Sequence, residues 1–140
     1  MSKIEVNELA VRSGTNITFS SPIQGEGTAG TTLNQGLTKM WVNYTGISTT
    51  AARDSFNVSS LTDNATGRTT ITITNNMGNV NYSGYYYQNG DTGTGYTNFN
   101  NAYAGGFSSF TAGSCGNNTQ NSSGDVDSYQ NLCGIVGDLA

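Results

Sequence analysis

Apolar residues in this chain come singly or in short pairs, and the dominant spacing between them is two. Across residues 68–75 the alternation is unbroken. Ile71 and Ile73 fall on one face, Thr70, Thr72 and Thr74 on the other, and all are β-branched. That pattern suits a pleated, extended backbone. The same period predicts a strand over 40–44 and a second carrying Phe56 and Val58, with Leu61 at its end and Asn57 and Ser59 on its opposite face. It also predicts a tyrosine-rich strand over 80–88, a short strand over 107–110, and a closing strand within 126–138 that runs through 132–136. Residues 62–67 read as a polar hairpin loop and 77–79 as a turn. Residues 89–95 read as a loop opened by an Asn-Gly hairpin signal. Residues 113–124 read as a long polar loop that holds Cys115. No window sustains a helical period. Strands separated by roughly eight to twelve residues, with such turns between them, predict an all-β domain, an antiparallel β-sandwich or barrel.

The first residues alternate more loosely. Ile4, Val6 and Leu9 precede a Ser-Gly-Thr-Asn turn at 13–16, and Ile17 and Phe19 follow it. A strand-turn-strand of this size cannot bury its apolar face alone. It is expected to act as a β-hairpin or coil arm for anchoring or trimerisation. The predicted organisation is an arm over 1–22, a Gly/Thr-rich linker over 23–38 with no regular element, and a β-sandwich-like domain over 39–140.

Composition sharpens this picture. Gly, Ser, Thr and Asn fill about half of the chain, hydrophobic residues make up 34%, charged residues 10%, and there is one proline. Disorder from low hydrophobicity normally comes with high charge or many prolines. Eight Tyr and five Phe with little charge fit a thin core shared between subunits better, because a domain of this size gains from oligomerisation. The net charge of −4 and the scatter of Lys3, Arg12, Lys39, Arg53 and Arg68 argue against nucleic-acid binding, which needs clustered cations. No apolar run approaches the roughly 20 residues of a membrane span, so no membrane insertion is expected. The first residues lack the apolar block of a signal peptide, so synthesis in a cytoplasm is expected.

Residues 40–75 also carry a resemblance. The Trp41-Val-Asn-Tyr strand, the block Ala52-Arg-Asp-Ser-Phe-Asn-Val-Ser-Ser-Leu-Thr-Asp-Asn64, the glycine-containing hairpin and the alternating Thr/Ile strand resemble a module of tail-fibre and other virion structural proteins of tailed bacteriophages. The resemblance is especially to those of cyanophages and other marine phages. The likeness continues more weakly through Met77, Asn81 and Tyr82 and around residues 133–138, so its looser form covers about 39–140. Residues 2–22 resemble the short leaders that begin such proteins. The resemblance implies a homotrimeric virion protein with β-rich subunits around a threefold axis, and self and other tail or capsid proteins as partners. The tyrosine-rich centre and residues 113–124 fall outside the likeness. The chain is much shorter than a typical whole fibre, which suggests a stub fibre, a tip or a small particle-surface protein.

Candidate chemistry is sparse. Histidine is absent, which removes His-based acid–base work, His-activated nucleophiles and His metal sites. Cys115 has no local base. Cys115 and Cys133 are expected as reduced, partly buried thiols, with a disulfide as the alternative. Two cysteines without histidine make a poor metal set. Asp125 and Asp127 share a strand face, which leaves open a glycosidase pair or a calcium site; solvated acids are the plainer reading. No cofactor is expected. The Asn-x-Ser/Thr sequons follow from composition.

The aromatics are the remaining candidates. Tyr85, Tyr86, Tyr87, Tyr96 and Tyr103, with Asn89 and Asp91, form the candidate surface contacts, because rigid aromatic area among flexible polar groups suits recognition. The competing reading places those rings in a core or subunit interface. Trp41, flanked by Met40 and Val42, is expected to be buried. The leading expectation is a tail-fibre-type module for host attachment, to a host-surface glycan or protein, or for fibre anchoring, by multivalent contact. The alternatives are a capsid decoration, cement or head-fibre protein and, more remotely, an envelope glycan hydrolase.

Overall fold

The computed structural model describes residues 36–89, 103–121 and 123–140, together with two short strands, β1 (Ile23–Gln24) and β2 (Gly30–Thr31). The chain divides into two compact units, Met1–Leu33 and Asn34–Ala140. In the first, β1 and β2 pair antiparallel, with Ile23 opposite Thr31, inside the segment expected to lack regular structure. The predicted arm lies outside the described residues.

The second unit is all-β. Its strands are β3 (Thr38–Thr45), β4 (Ala51–Phe56), β5 (Val58–Ala65), β6 (Arg68–Ile73), β7 (Ser83–Asn89), β8 (Tyr103–Phe110), β9 (Ser114–Asn121), β10 (Gly124–Asp125) and β11 (Gln130–Val136). They form two antiparallel sheets. One has the order β4-β3-β11-β7. In the other, β6 lies between β5 and β9, and β9 also pairs with β8 and with β10.

Alternation decides what each strand buries. Met40, Val42 and Tyr44 of β3 point inward with Cys133 and Ile135 of β11, and meet Ile71 and Ile73 of β6 and Cys115 of β9 in one core. Residues from both sheets share that core, so the unit is sandwich-like. Trp41 sits on the opposite parity from Met40, Val42 and Tyr44 and is only half-buried. The expectation that Trp41 lies in the core is therefore corrected: one face of β3 was already taken by three apolar neighbours.

Two further expectations change. Phe56 and Val58 do not share a strand, because the chain turns a corner at Asn57, whose φ is 59°. Asparagine tolerates that left-handed conformation better than most residues. Its amide Nδ2 donates to the carbonyls of Lys39 (2.8 Å) and Asn75 (3.2 Å), and its Oδ1 accepts from the Asn75 N–H (2.7 Å). β4 thus ends in one sheet and β5 begins in the other. The stretch 113–124, expected as a loop, holds β9, an interior strand paired to both β6 and β8. Its inward residues are Cys115, Asn117 and Thr119, all buried. Neutral amides and hydroxyls can occupy such positions when the interior supplies partners. Asn117 Nδ2 donates to the Tyr44 hydroxyl at 2.6 Å, and the Thr119 hydroxyl donates to the Val126 carbonyl.

Candidate functional site

The strand registers assemble an aromatic surface on the outer face of the four-stranded sheet. Phe56 of β4 lies opposite Trp41 of β3, Trp41 opposite Gly134 of β11, and Gly134 opposite Tyr85 of β7. The next row on the same face is Asp54, Asn43, Leu132 and Tyr87. Phe56 is 54% exposed, Tyr85 51% and Tyr87 40%, and Trp41 and Leu132 are half-buried between them.

Gly134 is the residue that flattens this surface. A methyl group at that position would run into the Tyr85 ring at Cζ, Oη and Cε2. The ring therefore lies down across β11 rather than standing off the sheet. Its hydroxyl comes within 3.3 Å of Thr38 Oγ1 on β3. One ring face rests on the glycine backbone, and about half of the side chain meets solvent. Aromatic cover of a strand glycine in this way also removes the cost of an exposed, side-chain-free backbone.

The outer face of the second sheet has opposite character. Thr62, Thr70, Gly116 and Ser109 form one row, and Ser60, Thr72 and Ser114 the next. A shallow hollow of about 190 Å³ lies here, bordered by Asn64, Arg68, Ser108 and Asn118. The domain thus presents one aromatic face and one hydroxyl-and-amide face.

The structure separates the expected contact residues. Tyr85 and Tyr87 face outward. Tyr86, between them, turns inward and donates to Gln88 Oε1 (3.0 Å) and Asn131 Oδ1 (3.2 Å). Burial pushes its hydroxyl well above the usual tyrosine range. Asn89, at the end of β7, is buried. The pleat turns Tyr86 inward, while Asn89, on the parity of Tyr85 and Tyr87, is covered at the end of the strand, so neither offers the surface contact expected of it. Tyr103 belongs to β8 through its backbone, while its side chain, and Asp91 and Tyr96, lie outside the described residues. So do the arm residues Ile4, Val6, Leu9, Ile17 and Phe19. Phe56, Trp41 and Gly134 were missing from the expected surface. The parity of Trp41 against Met40 and Val42 was a legible signal for one of them; the cross-strand partners were not.

The remaining chemical candidates serve the fold. Cys115 and Cys133 are free and buried. Burial raises the Cys115 thiol to about 12, and burial, followed by the neighbouring Cys115, raises Cys133 further. Both are held neutral, the unreactive form of a thiol. Asp127 Oδ1 accepts from the Gly67 N–H at 2.7 Å. Asp125 accepts from Gln120 Nε2 and from Arg68 Nε, each at 2.8 Å. These carboxylates fasten the β5–β6 turn to the segment around β10. Among the described residues, no three His, Cys, Asp or Glu side chains cluster as a metal site would require.

The Gln120 hydrogen bond, followed by that from Arg68, holds the Asp125 carboxyl below its ordinary value. A carboxylate whose folded-state pKa is depressed adds stability above its unfolded value, about 3.9 for Asp. That stability is lost as pH falls through the folded value. Asp125→Asn should therefore melt at a lower temperature than the parent at pH 7, and the gap should close in strong acid. Thermal unfolding followed by circular dichroism at the two pH values measures this; a gap that persists in strong acid contradicts it.

Comparison of the chain with protein-family models, with curated proteins and with solved structures finds no match in any of the three.

Proposed function

We propose that this chain is a structural module of a tailed-phage particle, of the tail-fibre type, and that it works by surface attachment rather than by reaction. The observation that carries the reading is the flat aromatic face of the four-stranded sheet, Phe56–Trp41–Gly134–Tyr85 with Tyr87 beside it. Large apolar rings left in the open on a rigid sheet mark an interaction surface. The resemblance of residues 40–75 to virion modules supports the setting. Engagement of Asp125 by Arg68 and Gln120, and of Asp127 by Gly67, favours a structural role for the two carboxylates over hydrolytic chemistry.

The module acts as a homotrimer in the virion. Each copy offers a weak site, and several sites on one rigid particle engage repeated receptors, so avidity supplies the strength. Residues 1–22 anchor or trimerise it. Light scattering on the full chain should give about three times the mass of one chain, and deletion of residues 1–22 should lower that mass. An unchanged mass, with normal incorporation into particles, removes the arm from this role. Binding of the full chain to host cells supports attachment; binding to empty capsids instead moves the module to capsid decoration.

A further inference from the structure

We infer that the aromatic face of the four-stranded sheet is a binding platform for a neutral glycan, whose sugar rings stack on Tyr85, Trp41 and Tyr87. The inference rests on the attachment reading above and names the ligand class of that site.

Size argues first. Phe56, Tyr85 and Tyr87 are 54%, 51% and 40% exposed, and with half-buried Trp41 and Leu132 they leave roughly 300–400 Å² of apolar surface open. That equals the largest patch on an ordinary monomer. It is about half of the roughly 800 Å² that each partner contributes to a stable protein–protein interface. A second copy seated here would be weakly held, whereas a few sugar rings would cover the patch.

Shape argues second. Sugar rings present apolar C–H faces edged by hydroxyls, and such a face needs a flat aromatic partner with hydrogen-bonding groups around it. The Tyr85 ring is held flat by Gly134, and its hydroxyl lies beside Thr38. Trp41 stands next to Gly134 on the other side. Trp41 and Tyr85 sit on strands two apart, about 10 Å between backbones, so neighbouring rings of one chain can reach both. Asn43 and Asp54 supply polar groups in the adjacent row.

Charge argues third. The two rows hold one carboxylate, Asp54, and no cation; Lys39, next along β3, is buried. With a net charge of −4, the face repels an anionic polysaccharide and accepts a neutral one.

The chain carries its own reporter, since Trp41 is its one tryptophan. The full-length protein is titrated with cellohexaose, chitohexaose and maltohexaose while tryptophan emission is followed. A saturable change with at least one of them is expected. Tyr85→Ala should weaken it by about tenfold, Tyr87→Ala should also weaken it, and Tyr129→Ala, an exposed ring outside the two rows, should not. Gly134→Val, which lifts the Tyr85 ring, should reproduce the Tyr85→Ala loss. Host-cell binding and native mass are measured on the same proteins. No emission change with any of the three sugars overturns the inference, and retained cell binding then leaves the attachment reading standing. Absence of cell binding by the parent protein fails that reading, whatever the sugars do. A fall in native mass on Tyr85→Ala makes the face an interface between copies and also overturns the inference.

Discussion

Gly67→Ala is expected to cost about 3 kcal/mol or more and to lower the melting temperature by on the order of 15 °C. Gly67 closes the β5–β6 turn with φ at 68°, a conformation that a side chain disfavours. Space is the larger problem. A Cβ there would sit 2.5 Å from the Thr119 carbonyl oxygen and 2.7 Å from the Val126 nitrogen. Both are backbone atoms, so neither can swing aside. Relief requires the turn to pull away from β9. That movement breaks the Thr119 N–H bond to the Gly67 carbonyl (2.8 Å) and the Gly67 N–H bond to Asp127 (2.7 Å). Gly36→Ala, with nothing within 4 Å of the added carbon, serves as the control and should be close to neutral. Chemical denaturation of the two variants measures the difference. A Gly67→Ala loss below about 1 kcal/mol would show that the turn is free to move.

The second large effect is an alkaline limit. Burial raises Tyr82 and Cys115 to about 12 each and carries Tyr44, Tyr86 and Cys133 higher still. In the unfolded chain these thiols and phenols ionise at their ordinary values, about 8.5 and 10. The folded state therefore keeps protons that the unfolded state has released, and stability falls as pH rises. The contribution is complete below the unfolded values and is lost through the folded ones. Each group removes up to about 1.4 kcal/mol per pH unit in that window. Five groups acting together would exhaust a typical stability of roughly 5–15 kcal/mol within about two units. The domain should hold steady through neutral pH and then unfold cooperatively above about pH 10. Circular dichroism and tyrosinate absorbance, recorded together, test this. The buried tyrosines should ionise only as the fold is lost. A native spectrum at pH 12 with those three rings still neutral would contradict the argument about cooperativity, because the released protons would no longer drive unfolding.

The two effects share a cause in the interior. This core is thin in aliphatic residues, and Tyr44, Asn117, Asn131 and Thr119 occupy positions that Leu or Val would fill elsewhere. Such groups stabilise only while their partners are in place. The Asn117–Tyr44 bond joins residues 73 apart in sequence, which ties β9 of one sheet to β3 of the other. The hidden strand follows from the same fact. β9 alternates correctly, but its inward members are Cys115, Asn117 and Thr119, and polarity alone gives that run the profile of a loop.

Local pattern alone was sufficient for the all-β character, the strands around Met40–Tyr44 and Ile71–Ile73, and the closing strand at 132–136, because short runs of β-branched, aromatic and other apolar residues bounded by turn residues favour an extended backbone. Cross-strand register, the corner at Asn57, the interior place of Asn117 and the outward turn of Trp41 were decided by tertiary structure. Each depends on which distant residue lies alongside. The aromatic face is the clearest case: Phe56, Trp41, Gly134 and Tyr85 come from four strands, and only their pairing sets a tyrosine ring flat on a glycine.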